Sequence, residues 1–164
     1  MTIRGSILYG LVLRAASPEV EYLAHELQAR TERPIPATSL YPTCTRLVEH
    51  RYLAATGKHH RRRYRRTPRG TDYLRVLDID LPVRLCRALG QVGEEPAPLS
   101  DVARTLLSPE VDHRQAYAHL QQLGESQLVE VAGRWGSKTV TLTPLGAATL
   151  PNVAFVLQFW GEAS

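Results

Sequence analysis

The chain has 164 residues, enough for one domain or two small ones, and 43% of them are hydrophobic, as in folded globular proteins. No apolar run approaches the length of about 20 residues that a membrane span needs. The first apolar run, residues 7–13, is too short for a signal peptide, and two cysteines are too few for a disulfide framework. We therefore expect a cytoplasmic protein of bacterial type, associated with the nucleoid and not with a membrane.

Positive charge is concentrated in the first half of the chain. Residues 1–78 hold 14 Lys/Arg and 7 Asp/Glu, a net charge of +7, whereas residues 79–164 hold 6 and 9, a net charge of −3. Within the first half, six of the nine residues in the run 58–66 are Lys or Arg, and none is acidic. This asymmetry predicts that only the first half meets a polyanion.

Apolar periodicity predicts two helices at the start of the chain. The first covers residues 3–14, with a core face formed by Ile3, Ile7, Leu8, Leu11 and Val12. Ser17-Pro18-Glu19 has the composition of a helix start, with a cap residue, a proline and an acid in the first turn. We therefore expect a second helix from residue 17, with an apolar stripe formed by Val20, Leu23, Ala24 and Leu27.

A third helix is predicted to start near Thr38 or Ser39. Pro42 favours this start, because proline is tolerated where its missing N–H would be unpaired anyway. The core face of this helix comprises Leu40, Cys44 and Leu47, with Cys44 as a small buried hydrophobe. The opposite face comprises Pro42, Thr45, Arg46 and Glu49. Tyr41 lies at the side, where it is either a half-buried packing residue or a contact to a ligand.

A basic hairpin is expected to follow the third helix. Residues 52–55 have strand character, Thr56-Gly57 begins a turn, and residues 63–65 return as the second strand. Like charges on paired strands are destabilising, so a polyanion explains the run 58–66 better than a merely solvated surface does. A further helix is predicted over residues 70–77.

The sequence repeats itself at an offset of 76 residues. Tyr41 aligns with Tyr117, and Thr67-Pro68-Arg69-Gly70 aligns with Thr143-Pro144-Leu145-Gly146. The second-helix stripe recurs at an offset of 79, as Leu99, Val102, Ala103 and Leu106, which gives the first copy three extra residues before its third helix. We therefore predict two domains, 1–78 and 79–164, each built from one helix–helix–helix–hairpin unit.

The chain ends in an apolar run, residues 153–160. Such a run must be covered, either by the second core or by another subunit or domain. We favour a subunit or interdomain contact, and so expect a homodimer formed through the second domain or this C-terminal segment.

Two motifs of the first half together resemble a known family. Ser39-Leu40-Tyr41-Pro42-Thr43, then Arg46-Leu47 and Arg63-Tyr64-Arg65-Arg66-Thr67-x-x-Gly70, resemble the PadR family of winged-helix transcriptional regulators over residues 5–77. The resemblance implies double-stranded DNA as partner and a repressor as function. The expected fold is mainly α with small β-hairpins (α+β), arranged as a tandem winged helix-turn-helix. The family usually continues into a long helical dimerisation region, which a second unit replaces here.

The resemblance also implies which residues meet DNA. The third helix would lie in the major groove and the hairpin, or wing, beside the minor groove. The candidate residues in the first domain are Thr38, Ser39, Tyr41, Pro42, Thr43, Thr45, Arg46, Lys58, Arg61, Arg62, Arg63 and Arg65.

The second domain offers a smaller set of candidate DNA contacts. They are Arg114, Gln115, Gln121 and Gln122 on its third helix, and Arg134 and Lys138 on its hairpin. Glutamine can pair with adenine, but the net charge of −3 opposes strong phosphate binding. A protein-interaction module is the alternative for this domain, and it is slightly favoured.

No motif indicates catalysis, so we expect no enzyme activity and no cofactor. His59 and His60 lack a third ligand nearby, and no metal is expected. Two alternatives to a repressor stay open: a DNA-binding protein of plasmid replication or partition, and a winged-helix adaptor that mediates protein contacts.

Overall fold

The computed structural model describes the backbone of residues 3–162 and the side chains of residues 7–161. Within these residues the protein is α+β, with eight α-helices and two three-stranded antiparallel sheets, which confirms the predicted class. The chain divides into two compact units, Met1–Ile79 and Asp80–Ser164, where the sequence placed the boundary after residue 78. No helix among the described residues is long and apolar enough to cross a membrane.

The first unit combines four helices with one small sheet. Its elements are α1 (Ile3–Ala15), β1 (Tyr22–Leu23), α2 (Ala24–Arg30), α3 (Ala37–Glu49), β2 (Leu53–Thr56), β3 (Arg63–Arg66) and α4 (Pro68–Ile79). The strand order is β1-β3-β2, so the return strand of the hairpin is central. A short 3-10 turn, His59–Arg61, lies in the connection between β2 and β3.

The second unit has the same order of elements. They are α5 (Val83–Leu89), β4 (Ala97–Pro98), α6 (Leu99–Thr105), α7 (His113–Glu125), β5 (Val129–Ala132), β6 (Thr139–Leu142) and α8 (Pro144–Glu162). The strand order β4-β6-β5 repeats the order of the first sheet. From α3 onward, each element begins 76 residues before its counterpart, the offset found in the sequence.

The second helix of each unit differs from the prediction. Helix α2 begins at Ala24 and not at residue 17, because the Ser17 hydroxyl accepts hydrogen bonds from the N–H groups of Glu19 and Val20 and closes a turn instead. Tyr22 and Leu23 then pair with β3 as a third strand that the sequence did not reveal. The offset between α2 and α6 is 75, so the extra residue before the third helix lies in the second unit, and the predicted offset of 79 is wrong.

The core of the first unit lies between its helices and one face of its sheet. Its fully buried members include Val12, Leu13, Leu27, Leu40, Cys44, Leu47 and Tyr73. The predicted core face of α3 is therefore confirmed. Ile7 of α1 is 50% exposed and was wrongly assigned to the core, while the side chain of Ile3 lies outside the described residues.

The repeated Thr-Pro-x-Gly motif joins the hairpin to the next helix in both units. The Thr67 hydroxyl donates to the Arg51 carbonyl at 2.6 Å and accepts from the Gly70 N–H at 3.0 Å, while the Thr67 N–H donates to the Tyr52 carbonyl. Thr143 makes the equivalent bonds, to Gln127, Gly146 and Leu128. In both units a Cβ on the glycine would overlap a backbone carbonyl oxygen, so the motif requires glycine there.

The apolar C-terminal run belongs to the core of its own unit. Val153, Val156 and Phe159 of α8 are buried, and α8 packs against α5. Another subunit is therefore not needed to cover these side chains. The preference for a subunit contact was wrong, because the sequence did not show that α8 and α5 pack together.

We expect Gly146→Ala to lower the free energy of unfolding by about 3 kcal/mol, because the new methyl group overlaps the Leu128 carbonyl. Gly124→Ala is the matched control: it lies on α7 with open space around a Cβ and should raise stability by up to about 1 kcal/mol. Both tryptophans lie in the second unit, so urea denaturation followed by tryptophan fluorescence measures the effect. Equal midpoints for the two variants would contradict the role of the glycine.

Candidate nucleic-acid interface

Helix α3 presents a polar face to solvent. Its exposed side chains are Thr38, Tyr41, Pro42, Thr45, Arg46 and Glu49, and Ser39 is half-buried. Tyr41 is 52% exposed, so its ring is available to a ligand. Hydroxyl, phenol and guanidinium groups on one helix face can bond to base edges and phosphates.

Thr43 does not belong to this face, and its assignment as a DNA contact was wrong. Its side chain is only 5% exposed, and its hydroxyl donates to the Ser39 carbonyl at 2.6 Å. Thr45, two residues later, points to solvent and donates to the Tyr41 carbonyl. Residue spacing placed Thr43 near the edge of the exposed stripe, and packing against the core decided its orientation.

Pro42 lies farther inside α3 than expected. The helix begins at Ala37, where the N–H groups of Ser39 and Leu40 both donate to the Pro36 carbonyl. Pro42 is therefore the sixth helical residue and not part of the first turn. Proline inside a helix removes one backbone hydrogen bond and costs about 3 kcal/mol. The exposed face of α3 thus retains a rigid, costly residue next to Tyr41.

The basic hairpin consists of β2, β3 and their connection, residues 57–62. In the register of the sheet, Thr56 pairs with Arg63 and Ala54 with Arg65, so both arginines share the face opposite the buried Tyr64. Lys58 and Arg61 are exposed in the connection. The small partners Thr56 and Ala54 leave room for both guanidinium groups to project from the sheet.

The hairpin cations have no acidic partner. Among the described residues the salt bridges are Arg14–Asp78 and Arg104–Asp101, and neither involves the hairpin. Arg62 is half-buried, with its guanidinium carbon 5.9 Å from the centroid of the Tyr64 ring. The hairpin thus concentrates positive charge that the protein itself does not neutralise, which favours association with a polyanion.

The Glu21 carboxylate lies beside this hairpin, where it accepts a hydrogen bond from the Thr56 hydroxyl at 3.0 Å. The sequence did not reveal this contact, because the pairing of β1 with β3 brings the two residues together across 35 positions.

Arg66 has a structural role although it belongs to the same basic run. Its guanidinium donates to the Leu13 carbonyl at 2.8 Å and to the Thr71 hydroxyl at 3.1 Å. The Leu13 carbonyl lies in the last turn of α1, where helix carbonyls lack partners within the helix. Burial lowers the pKa of Arg66 from its ordinary value. The predicted wing therefore ends at Arg65.

The corresponding face of the second unit is differently equipped. Arg114, Gln121, Gln122, Arg134 and Lys138 are all exposed, as predicted. The strand positions of Arg63 and Arg65 are occupied by Thr139 and Thr141, so the second hairpin lacks the paired arginines.

Gln115 is a helix cap in the second unit. Its side chain accepts from the Asp112 N–H at 2.9 Å, and its own N–H donates to the Asp112 carboxylate at 2.8 Å. This capping box begins α7, so its assignment as a DNA contact was wrong.

The cysteines offer no reactive or metal-binding site. Burial raises the pKa of the Cys44 thiol to about 11 and also raises the pKa of Cys86, so both are neutral at pH 7. In the part of the chain that the structure describes, no three His, Cys, Asp or Glu residues are grouped to hold a metal ion.

Comparison of the sequence with protein-family models gives no match, and searches of the curated proteins and of the solved structures give no match either. The arguments that follow therefore depend on the geometry and charge of the described residues.

Adjacent arginines allow a direct test of the two roles in the basic run. Arg66→Ala should lower the free energy of unfolding by about 1.5–3 kcal/mol, because it removes charged hydrogen bonds to the end of α1. Arg65→Ala should change it by less than about 0.5 kcal/mol, because Arg65 is exposed. Urea denaturation followed by far-UV circular dichroism compares the two. Equal destabilisation would refute this division of roles.

Proposed function

We propose that the protein binds double-stranded DNA through its first unit and acts as a transcriptional regulator, most simply a repressor, with a PadR-like winged helix. In this proposal α3 enters the major groove, and the basic hairpin contacts the flanking backbone and minor groove. The observation that carries the proposal is the basic hairpin, whose exposed cations Lys58, Arg61, Arg63 and Arg65 form no salt bridge.

The order of elements supports the winged-helix interpretation. Three helices precede a hairpin, and the short strand β1 pairs with the return strand β3. In helix-turn-helix proteins the helix that reads DNA presents a polar face while its apolar face packs on the core. Helix α3 has this division, with Leu40, Cys44 and Leu47 buried and Tyr41 and Arg46 exposed.

The two parts of the interface would have separate tasks. Arginines on the hairpin neutralise phosphates, which gives affinity for any sequence and strong salt dependence. Tyr41, Thr45 and Arg46 on α3 would reach base edges, which gives sequence preference. A reporter gene controlled by the selected site tests the regulatory role: repression supports it, whereas binding only to repeated sites at a replication origin would favour the replication alternative.

Removing two hairpin arginines should flatten the salt dependence of binding. For Arg63→Ala with Arg65→Ala, we expect the slope of log K against log salt to fall by about 2, because two phosphate contacts are lost. Fluorescence anisotropy with a random GC-rich duplex across a salt series measures the slope. Arg87→Ala with Arg104→Ala is the control, since it removes the same charge from α5 and α6. An identical fall in the control would mean that net charge alone explains the binding.

Substitutions on α3 should alter sequence preference instead. Tyr41→Ala and Arg46→Ala should each weaken binding to a selected site by about 5- to 150-fold, the value of one specific contact, while binding to random DNA changes much less. Arg46→Lys is the matched control, because it keeps the charge but loses the planar fork that binds a base edge at two points. Competition anisotropy with selected and random duplexes measures the ratio. Equal losses on both duplexes would contradict base reading by α3.

A further inference from the structure

Trp135, at the tip of the β5–β6 hairpin, is 95% exposed. Tryptophan is on average a highly buried residue, because its large apolar ring gains much from leaving water. The ring has one close neighbour of opposite character, the Lys138 ammonium, 5.6 Å from its centroid. An indole held in water in this way indicates contact with another molecule.

The hairpin tip projects this ring outward. Gly133 (φ +104°) and Gly136 (φ +85°) flank Arg134 and Trp135 and allow the tight turn. One groove of about 870 Å³ lies on the side of Tyr117 and Val131, and a second of about 730 Å³ lies on the side of Pro98 and Thr139. Trp135 and Tyr117 line both grooves. A projecting ring with open space beside it fits a partner that is itself concave or layered.

The charge at the tip indicates which partner this is. Residues 133–138 carry Arg134 and Lys138, both exposed, and no acid. An aromatic ring between two cations matches a molecule with flat π-faces and an anionic border, which is the chemistry of stacked bases between phosphate chains. Threonines replace the arginines of the first hairpin at positions 139 and 141, so stacking would have to supply affinity that phosphate contacts do not.

We propose that the second unit is a second DNA contact, in which Trp135 inserts from the minor groove and stacks against a base step of a duplex. This inference depends on the proposed function of the first unit. Apolar wedges of this kind partly unstack a step, and they act most easily at deformable pyrimidine–purine steps such as TA. The second unit would thus read the deformability of DNA rather than its charge.

Tryptophan fluorescence tests the insertion directly. Trp160→Phe leaves Trp135 as the single tryptophan of the full chain. Its emission is measured during titration with a labelled duplex rich in TA steps, while anisotropy of the label reports binding in the same samples. We expect strong quenching with the same midpoint as the anisotropy change, and weaker binding to a stiff A-tract duplex. Should Trp160→Phe disturb folding, the difference between the wild-type chain and Trp135→Phe isolates the same signal.

Substitution of Trp135 provides an independent measurement. Trp135→Ala should weaken duplex binding by about 5- to 150-fold, the range for loss of one base stacked on an aromatic side chain. Trp135→Phe, which keeps an aromatic ring, should retain most of the affinity. The exposed side chain makes little packing contact, so the thermal midpoint of Trp135→Ala should equal that of the wild-type chain.

The outcomes separate this inference from the proposed function. Duplex binding with unchanged Trp135 emission and wild-type affinity for Trp135→Ala would overturn the insertion and leave DNA binding by the first unit intact. Such a result would assign the Trp135 surface to a protein partner. Quenching by single-stranded DNA but not by duplex would also overturn insertion into a duplex. Absence of duplex binding at low salt would overturn both proposals.

Discussion

The joint between hairpin and helix supports the rest of each unit. A threonine hydroxyl and N–H bind the carbonyls just before the first hairpin strand, and a glycine two residues into the next helix lies directly under one of those carbonyls. Any side chain at Gly70 or Gly146 would separate the helix from the strand. The direction in which each hairpin projects therefore depends on backbone contacts that only glycine permits.

Within the first unit, neighbouring arginines have different surroundings. Arg66 donates to the end of α1, Arg62 lies over a tyrosine ring, and Arg63 and Arg65 project from the opposite face of the sheet. Clustered like charges reduce stability, but solvent screening at an exposed hairpin keeps that cost small. The same exposure leaves the charge available to a polyanion, so the separation of bonded from unbonded arginines is what makes a binding surface from a basic run.

The two units share their joint and their strand order but not their surfaces. The first hairpin carries arginines on its open face, whereas the second carries threonines there and a bare tryptophan at its tip. Internal packing restricts which residues can change, because a substitution at a glycine contact costs stability, whereas a substitution at an exposed strand position costs little. Duplicated units can therefore keep one architecture while their exposed residues acquire different partners.

Local patterns in the sequence determined much of this protein: the 76-residue repeat, the core face of α3, both hairpins and the exposed basic run. These follow from periodicity and turn residues, which act over a few positions. Only the tertiary structure decided that Tyr22 and Leu23 form a strand, that Thr43 is buried, that Arg66 binds the end of α1 and that α8 covers its own unit. Each of these depends on a partner distant in sequence, because a strand of two residues or a hydrogen bond to a remote carbonyl leaves no local pattern.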